Sequence, residues 1–220
     1  MATFTGSPDV RGRAPAAPPA EMADRGTASS MGSLEIADPV PLGLAGFGLT
    51  TLALSVVNAG WIDRSTGPGV LALAIAFGGG AQFLAGMWAF RRGNTFAATA
   101  FSGFGAFWFS YWLLTSFFVP QIAQSGPNGA AGSFVGLYML LWAIFTAYML
   151  IASLAGSKAA SGVFLLLAVT FLCLCIGSYS SSTRWTHIGG YLGILTAINA
   201  LYVSFAAVTN ASFNRHILPT

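Results

Sequence analysis

Charge is what this sequence has least of. Only 7% of its 220 residues are Asp, Glu, Lys or Arg, against 55% hydrophobic, where soluble domains carry about 25% charged residues. The deficit is uneven. Asp9, Glu21, Asp24, Glu35 and Asp38, with Arg11, Arg13 and Arg25, all stand before residue 41. Beyond it there is one acid, Asp63, and the bases Arg64, Arg91, Arg92, Lys158, Arg184 and Arg215. A stretch so poor in charge does not stay in water alone, so the chain reads as an integral membrane protein. Cysteine is scarce too. Cys173 and Cys175 lie two apart in an apolar run, where a helix points them in different directions. That excludes a disulfide between them, and no metal site has the ligands it would need. No span holds a lysine, which excludes a retinal Schiff base. The first 30 residues lack the apolar core of a signal peptide. Their Pro, Ala, Gly and Ser content predicts a disordered tail over residues 1–37.

What remains is a set of long apolar runs. Six are long enough to cross a bilayer, which takes about 20 residues: residues 41–60, 69–90, 95–119, 133–154, 160–179 and 187–208. The third is expected to stop at Pro120. The turns between them carry Gly, Pro, Asn and Ser, as in Gly126–Pro127–Asn128–Gly129. The expected fold is an all-α membrane protein of six transmembrane helices over residues 38–220. With the amino terminus inside, the short inner segments hold Arg91, Arg92, Lys158 and Arg215, and the outer ones Arg64 and Arg184. That fits the positive-inside rule and places both termini in the cytoplasm of a multi-pass cell (inner) membrane protein.

No acid or base lies inside any of these spans. Ion-coupled carriers usually keep an intramembrane ionisable group, and here none serves as a fixed proton relay. His187 stands at the outer edge of the sixth span. A Ser102–His187 dyad would be split by much of the bilayer, about 30 Å thick, so no catalytic residue is expected. The polar groups within spans are neutral. Thr50 follows Phe47 on the first, Gln82 lies in the second, Thr146 in the fourth and Asn199 in the sixth. Such groups can replace part of the hydration shell of a small carboxylate, or bond helix to helix at roughly 0.6–2 kcal/mol each. Gln82 and Asn199 are singled out because a buried amide is costly without a partner.

Two stretches carry a resemblance. Asp38, Pro39, Val40, Pro41, Leu42, Gly43 and Leu44, with Phe47 beyond, resemble the opening motif of the acetate uptake transporter family, the succinate–acetate permeases and their fungal relatives. Asp38 departs, standing where that family has Asn. Residues 78–108, GGGAQFLAGMWAFRRGNTFAATAFSGFGAFW, are similar to the family as well, as are Leu141–Thr146 and the Leu218–Pro219 ending. The resemblance implies transport of acetate and similar small carboxylates, succinate after acetate, with protons as partners in the bilayer. It also implies a homohexamer in which each protomer has its own pore. The family closes that pore with a Phe, a Tyr and a Leu. These carry over to Phe47, Phe104 and Leu167, so the tyrosine hydroxyl is missing and the constriction is wholly apolar. No cofactor, metal or nucleic-acid partner is expected. Proton-coupled uptake, with the acid carrying the proton, is the leading mechanism. An anion channel is the rival, and a non-transporting scaffold is the alternative from another class.

Overall fold

Prolines and capping side chains set where the helices begin. The computed structural model describes residues 36–219, so residues 1–35 of the expected tail lie outside it. Helix α1 is Val40–Asn58. Pro41 occupies its first turn, where a missing N–H loses no partner, and Asp38 Oδ1 accepts from the Val40 N–H at 3.2 Å. A turn through Gly60, at φ +78°, follows. Asp63 then caps a short turn by accepting from the Ser65 N–H at 2.8 Å, and these bonds hold its carboxyl below the usual carboxylate range.

The second span is one helical path in three parts: α2 (Gly67–Leu73), a π-helical stretch over Ala74–Ala81, and α3 (Gln82–Arg91). Asn94 Oδ1 accepts from the Ala97 N–H at 3.0 Å and opens α4 (Thr95–Leu113). The path does not stop at Pro120. It continues through a π-helical stretch, Leu114–Phe118, into α5 (Val119–Ser125), with Pro120 in the first turn of α5. The wider π turn offers a place where a proline's missing N–H interrupts no regular ladder. Helix α6 (Ala130–Ser153) follows Gly129, whose φ is +86°. Ser157 Oγ accepts from the Ala160 N–H at 3.2 Å at the head of α7 (Lys158–Tyr179). Helix α8 (Thr183–Ser212) begins four residues ahead of the expected start.

All of this is helical, with no strand among the described residues. Five helical paths are long and apolar enough to cross a membrane. The sixth, α4, has 19 residues, enough for about 28 Å; its Gly, Ser and Trp content keeps its hydropathy down. Outward faces carry Leu84, Ile151, Leu154 and Phe205, each more than half exposed, as suits contact with lipid. The ending is tied down as well. Asn210 Oδ1 accepts from the N–H groups of Ile217 and Leu218, its Nδ2 donates to the Leu218 carbonyl, and the Tyr202 hydroxyl donates to that of Pro219.

Helices α1 and α8, α6 and α7, α7 and α8, and α3 and α4 form the main pairs. Glycines set their spacing. A Cβ on Gly190 of α8 would overlap the Ala59 backbone after α1, and one on Gly86 of α3 would overlap Ser102 of α4. Small residues at such crossings are how helices pack closely in lipid. Gly190→Ala is expected to destabilise by about 1–3 kcal/mol through overpacking. Gly69→Ala, which meets nothing within 4 Å, is expected to be neutral or stabilising by up to about 1 kcal/mol. Melting in detergent separates them, and equal melting temperatures would overturn this account of the packing.

Candidate transport pathway

Three helices begin around one cavity. Val40 in the first turn of α1, the α4 cap Asn94 and the α7 cap Ser157 all line it, at the end of the bundle that carries Arg91 and Arg92. Its volume is about 180 Å³. Each helix N-terminus contributes N–H groups without intrahelical partners and a partial positive charge, and among the described residues no charged side chain lines the cavity. Asp38 lies beside it, 3.5 Å from Arg92 Nη1, in an ion pair that is half exposed.

The cavity ends on Phe47, Phe104 and Leu167, which are 5%, 3% and 3% exposed. The rings of Phe47 and Phe104 are 5.7 Å apart. Phe104 also meets Phe145 at 5.2 Å, Trp142 at 6.0 Å and Phe164 at 6.1 Å. Beyond them Phe107 and Phe171 face each other at 5.4 Å. The structure thus brings together the three apolar residues singled out in the sequence.

A second cavity, about 580 Å³, opens at the other end. Asn58, Arg64, Tyr111, Thr115, Ser178 and Thr186 help to line it. Leu54 and Tyr111 line this cavity, named outer only because it lies away from the Arg91–Arg92 end, while Phe47 and Phe104, seven residues earlier on the same helices, line the first, named inner. Seven residues of helix rise about 10 Å. An aromatic plug of that thickness separates the two cavities.

The neutral polar candidates part company. Gln82 lines the inner cavity and is 1% exposed, with its Oε1 unpartnered among the described residues. Thr50, Thr146 and Asn199 do not line it. Thr50 Oγ1 lies 3.5 Å from the Leu73 carbonyl, Thr146 Oγ1 donates to the Trp142 carbonyl at 2.7 Å, and Asn199 Nδ2 donates to the Ala159 carbonyl at 3.2 Å. Thr146 bonds within its own helix; Asn199 ties α8 to the head of α7. Gly43 abuts the Phe101 ring, while Pro39 and Pro41 shape the start of α1. Ser102 packs on Gly86 and His187 on Gly60, at opposite ends of the bundle. No cluster of three metal-ligating side chains occurs among the described residues. Asn94 and Ser157 were not singled out in the sequence. Each precedes a long apolar run as a helix N-cap does, which is the signal that marks them.

Comparison with known proteins decides the family. The GPR1/FUN34/yaaH family pattern matches residues 23–220. The chain belongs to the GPR1/FUN34/yaaH family. It is 35% identical to the succinate-acetate/proton symporter SatP of Escherichia coli K12 over 189 residues, which span 86% of this chain and 97% of that one. It is 37% identical to acetate permease A of Emericella nidulans over 205 residues, 88% of this chain and 69% of the permease. The solved structure of the bacterial acetate channel SatP matches with a TM-score of 0.75 at 35% identity, covering 84% of this chain and 99% of that one. This GPR1/FUN34/yaaH chain therefore shares its membrane-spanning helical architecture with that channel.

Asp38 has two roles in the geometry, a cap for α1 and a partner for Arg92. Asp38→Asn keeps an oxygen for the Val40 N–H and removes the ion pair. Exposed pairs contribute about 0–1 kcal/mol, so the substitution is expected to lower stability by less than about 1 kcal/mol, with a difference that shrinks in high salt. Salt-dependent melting checks this; no change on substitution would leave the residue as a cap alone, and a large, salt-independent loss would overturn the ion-pair account.

Proposed function

We propose that this protein carries small carboxylic acids across the cell membrane, the monocarboxylic acetate chiefly and the dicarboxylic succinate secondarily. The observation that carries the reading is the aromatic plug: two cavities are lined by residues seven apart on α1 and on α4, about 10 Å of helix, and the buried apolar side chains of Phe47, Phe104 and Leu167 close the first of them. The similarity to a succinate-acetate/proton symporter, an acetate permease and an acetate channel supports the substrate class. In this reading Phe47, Phe104 and Leu167 form the constriction, and Gln82 is the polar group on the inner side. Thr50, Thr146 and Asn199 hold the helices around it. Asp38, Pro39, Pro41 and Gly43 shape the opening of α1 at the inner mouth. In this reading that mouth and both termini face the cytoplasm, and the basic residues beside the mouth support it through the positive-inside rule. The protomer works as one of six copies in the bilayer, each with its own pathway.

Proton coupling follows from comparing two costs. A carboxylate taken into an apolar site without a cation costs several kcal/mol at least. Protonating a carboxyl group of pKa near 4 costs about 3 kcal/mol at pH 6. The neutral acid is therefore the cheaper species to pass the plug, and the substrate itself carries the proton. An anion channel is the second reading. The three helix N-termini around the inner mouth and the excess of bases beyond residue 41 favour the anion there.

Labelled acetate uptake into proteoliposomes, at two external pH values and a clamped potential, separates the readings. Symport of the neutral acid predicts uptake above empty vesicles that rises as external pH falls. Uptake that tracks voltage alone establishes the channel, and no uptake at either pH returns the protein to a scaffold role. Phe104→Ala removes the ring at the centre of the plug. It is expected to admit larger acids such as lactate. An unchanged substrate range and rate would remove Phe104 from the constriction.

A further inference from the structure

Among the described residues, Gln82 is the only polar residue lining the inner cavity below its mouth; Asn94 and Ser157, the other two, are caps at the rim. Gln82 opens α3 directly after the π-helical stretch. Its Cβ lies 3.4 Å from the place a Cβ on Gly46 would take, beside Phe47. Its Oε1 is buried and has no hydrogen-bond partner among the described residues. A buried amide oxygen without a partner is unusual and unfavourable. It points to a ligand that completes it.

The chemistry of that ligand follows from the amide. A primary amide sets one acceptor beside donor N–H groups. Its complement is a group with one donor and one acceptor side by side. A protonated carboxyl has them, its O–H donating to Oε1 and its carbonyl accepting from Nε2. A carboxylate offers acceptors only and leaves Oε1 facing an anionic oxygen. A second primary amide has the same complementarity as the protonated acid. Among the described residues no charged side chain lines the cavity; Asp38 and Arg92 stand outside its mouth, and Lys158 follows the Ser157 cap. Nothing on the protein there takes the proton, which stays on the substrate's own oxygen.

We infer that Gln82 recognises the neutral carboxyl group by paired hydrogen bonds, and that the pathway therefore also accepts short primary amides, acetamide being the neutral isostere of acetic acid. The inference rests on the proposed passage of small monocarboxylic acids through this cavity, and it adds a substrate class that carries no titratable proton.

The test is uptake of labelled acetamide and labelled acetate, each measured in vesicles holding wild-type protein, the Gln82→Met variant or no protein. Gln82→Met keeps the side-chain length and removes both hydrogen bonds, and its elution profile and melting report whether it folds. The expected result is wild-type acetamide uptake above empty vesicles, equal at pH 5 and pH 7. Gln82→Met lowers the uptake of both solutes about tenfold, the effect of losing two neutral hydrogen bonds. Acetate uptake without acetamide uptake overturns the inference and leaves the monocarboxylate reading standing. Acetamide uptake without acetate uptake supports the inference and sinks that reading. Neither solute moving overturns both. If Gln82→Met fails to fold, the wild-type acetamide measurement still decides.

Discussion

Helix backbones in this protein meet at glycines, and the cavities exist because they do. Gly46 faces the Phe77 carbonyl, Gly86 faces Ser102, Gly105 faces the Phe83 backbone, and Gly190 and Gly193 bring α8 onto Ala59 and Ser55. Lipid tails are as apolar as leucine, so burial of apolar area drives little association between spans. Contact has to come from close fit. Where a glycine lets two helices touch, the neighbouring side chains are forced to one side. On α4 Phe104 and Phe107 turn against α6 and α7 partners such as Trp142 and Phe171, and Trp108 lies against Gly78 of the second span. The plug is the counterpart of the small-residue seams: one crowds the rings that the other displaces.

The same packing accounts for the electrostatics. A bilayer admits backbone only when its polar groups are satisfied, and the first N–H groups of a helix never are from within. Placing the starts of α1, α4 and α7 around a shared cavity gathers those groups where water and solutes reach them. Asn94 and Ser157 satisfy part of the demand. The mouth thereby gains positive potential with no cation spent inside the membrane. The outer cavity is built otherwise, with Arg64 and hydroxyl groups at helix ends.

Most of the fold was legible in the sequence because hydropathy and turn residues act locally. Asp38 to Pro41 marked the start of α1, and Gly126 to Gly129 marked the turn before α6. Pro120 misled, since its reading as a stop assumed a regular α-helix, and the π-helical turn at Leu114–Phe118 carries the path past it. The site was legible in part. Gln82 and Asn199 were drawn together by one argument, that a buried amide needs a purpose. Helical spacing does not say which neighbour an amide turns to. Asn199 Nδ2 reaches the carbonyl of Ala159 near the head of α7, while Gln82 Oε1 has no partner among the described residues. That difference is tertiary, and it depends on how α8 and α3 are rotated against their neighbours.

The phenylalanine at position 104 bears on selectivity as well as on dryness. Four rings surround it, and a phenol there would bring a hydroxyl in need of a partner. Without it, Gln82 is the sole polar side chain among the described residues in the deep part of the inner cavity. One amide pairs with one carboxyl group. In the proposed pathway, acetic acid has its polar end matched and its methyl group among aromatic rings. A dicarboxylic acid such as succinate carries a second polar end that meets only apolar side chains, and burying it unpaired is unfavourable by about 1–3 kcal/mol on mutational scales. In free-energy terms, the arrangement of one buried amide above an apolar plug therefore ranks short monocarboxylic acids ahead of dicarboxylic ones, before any difference in size is considered.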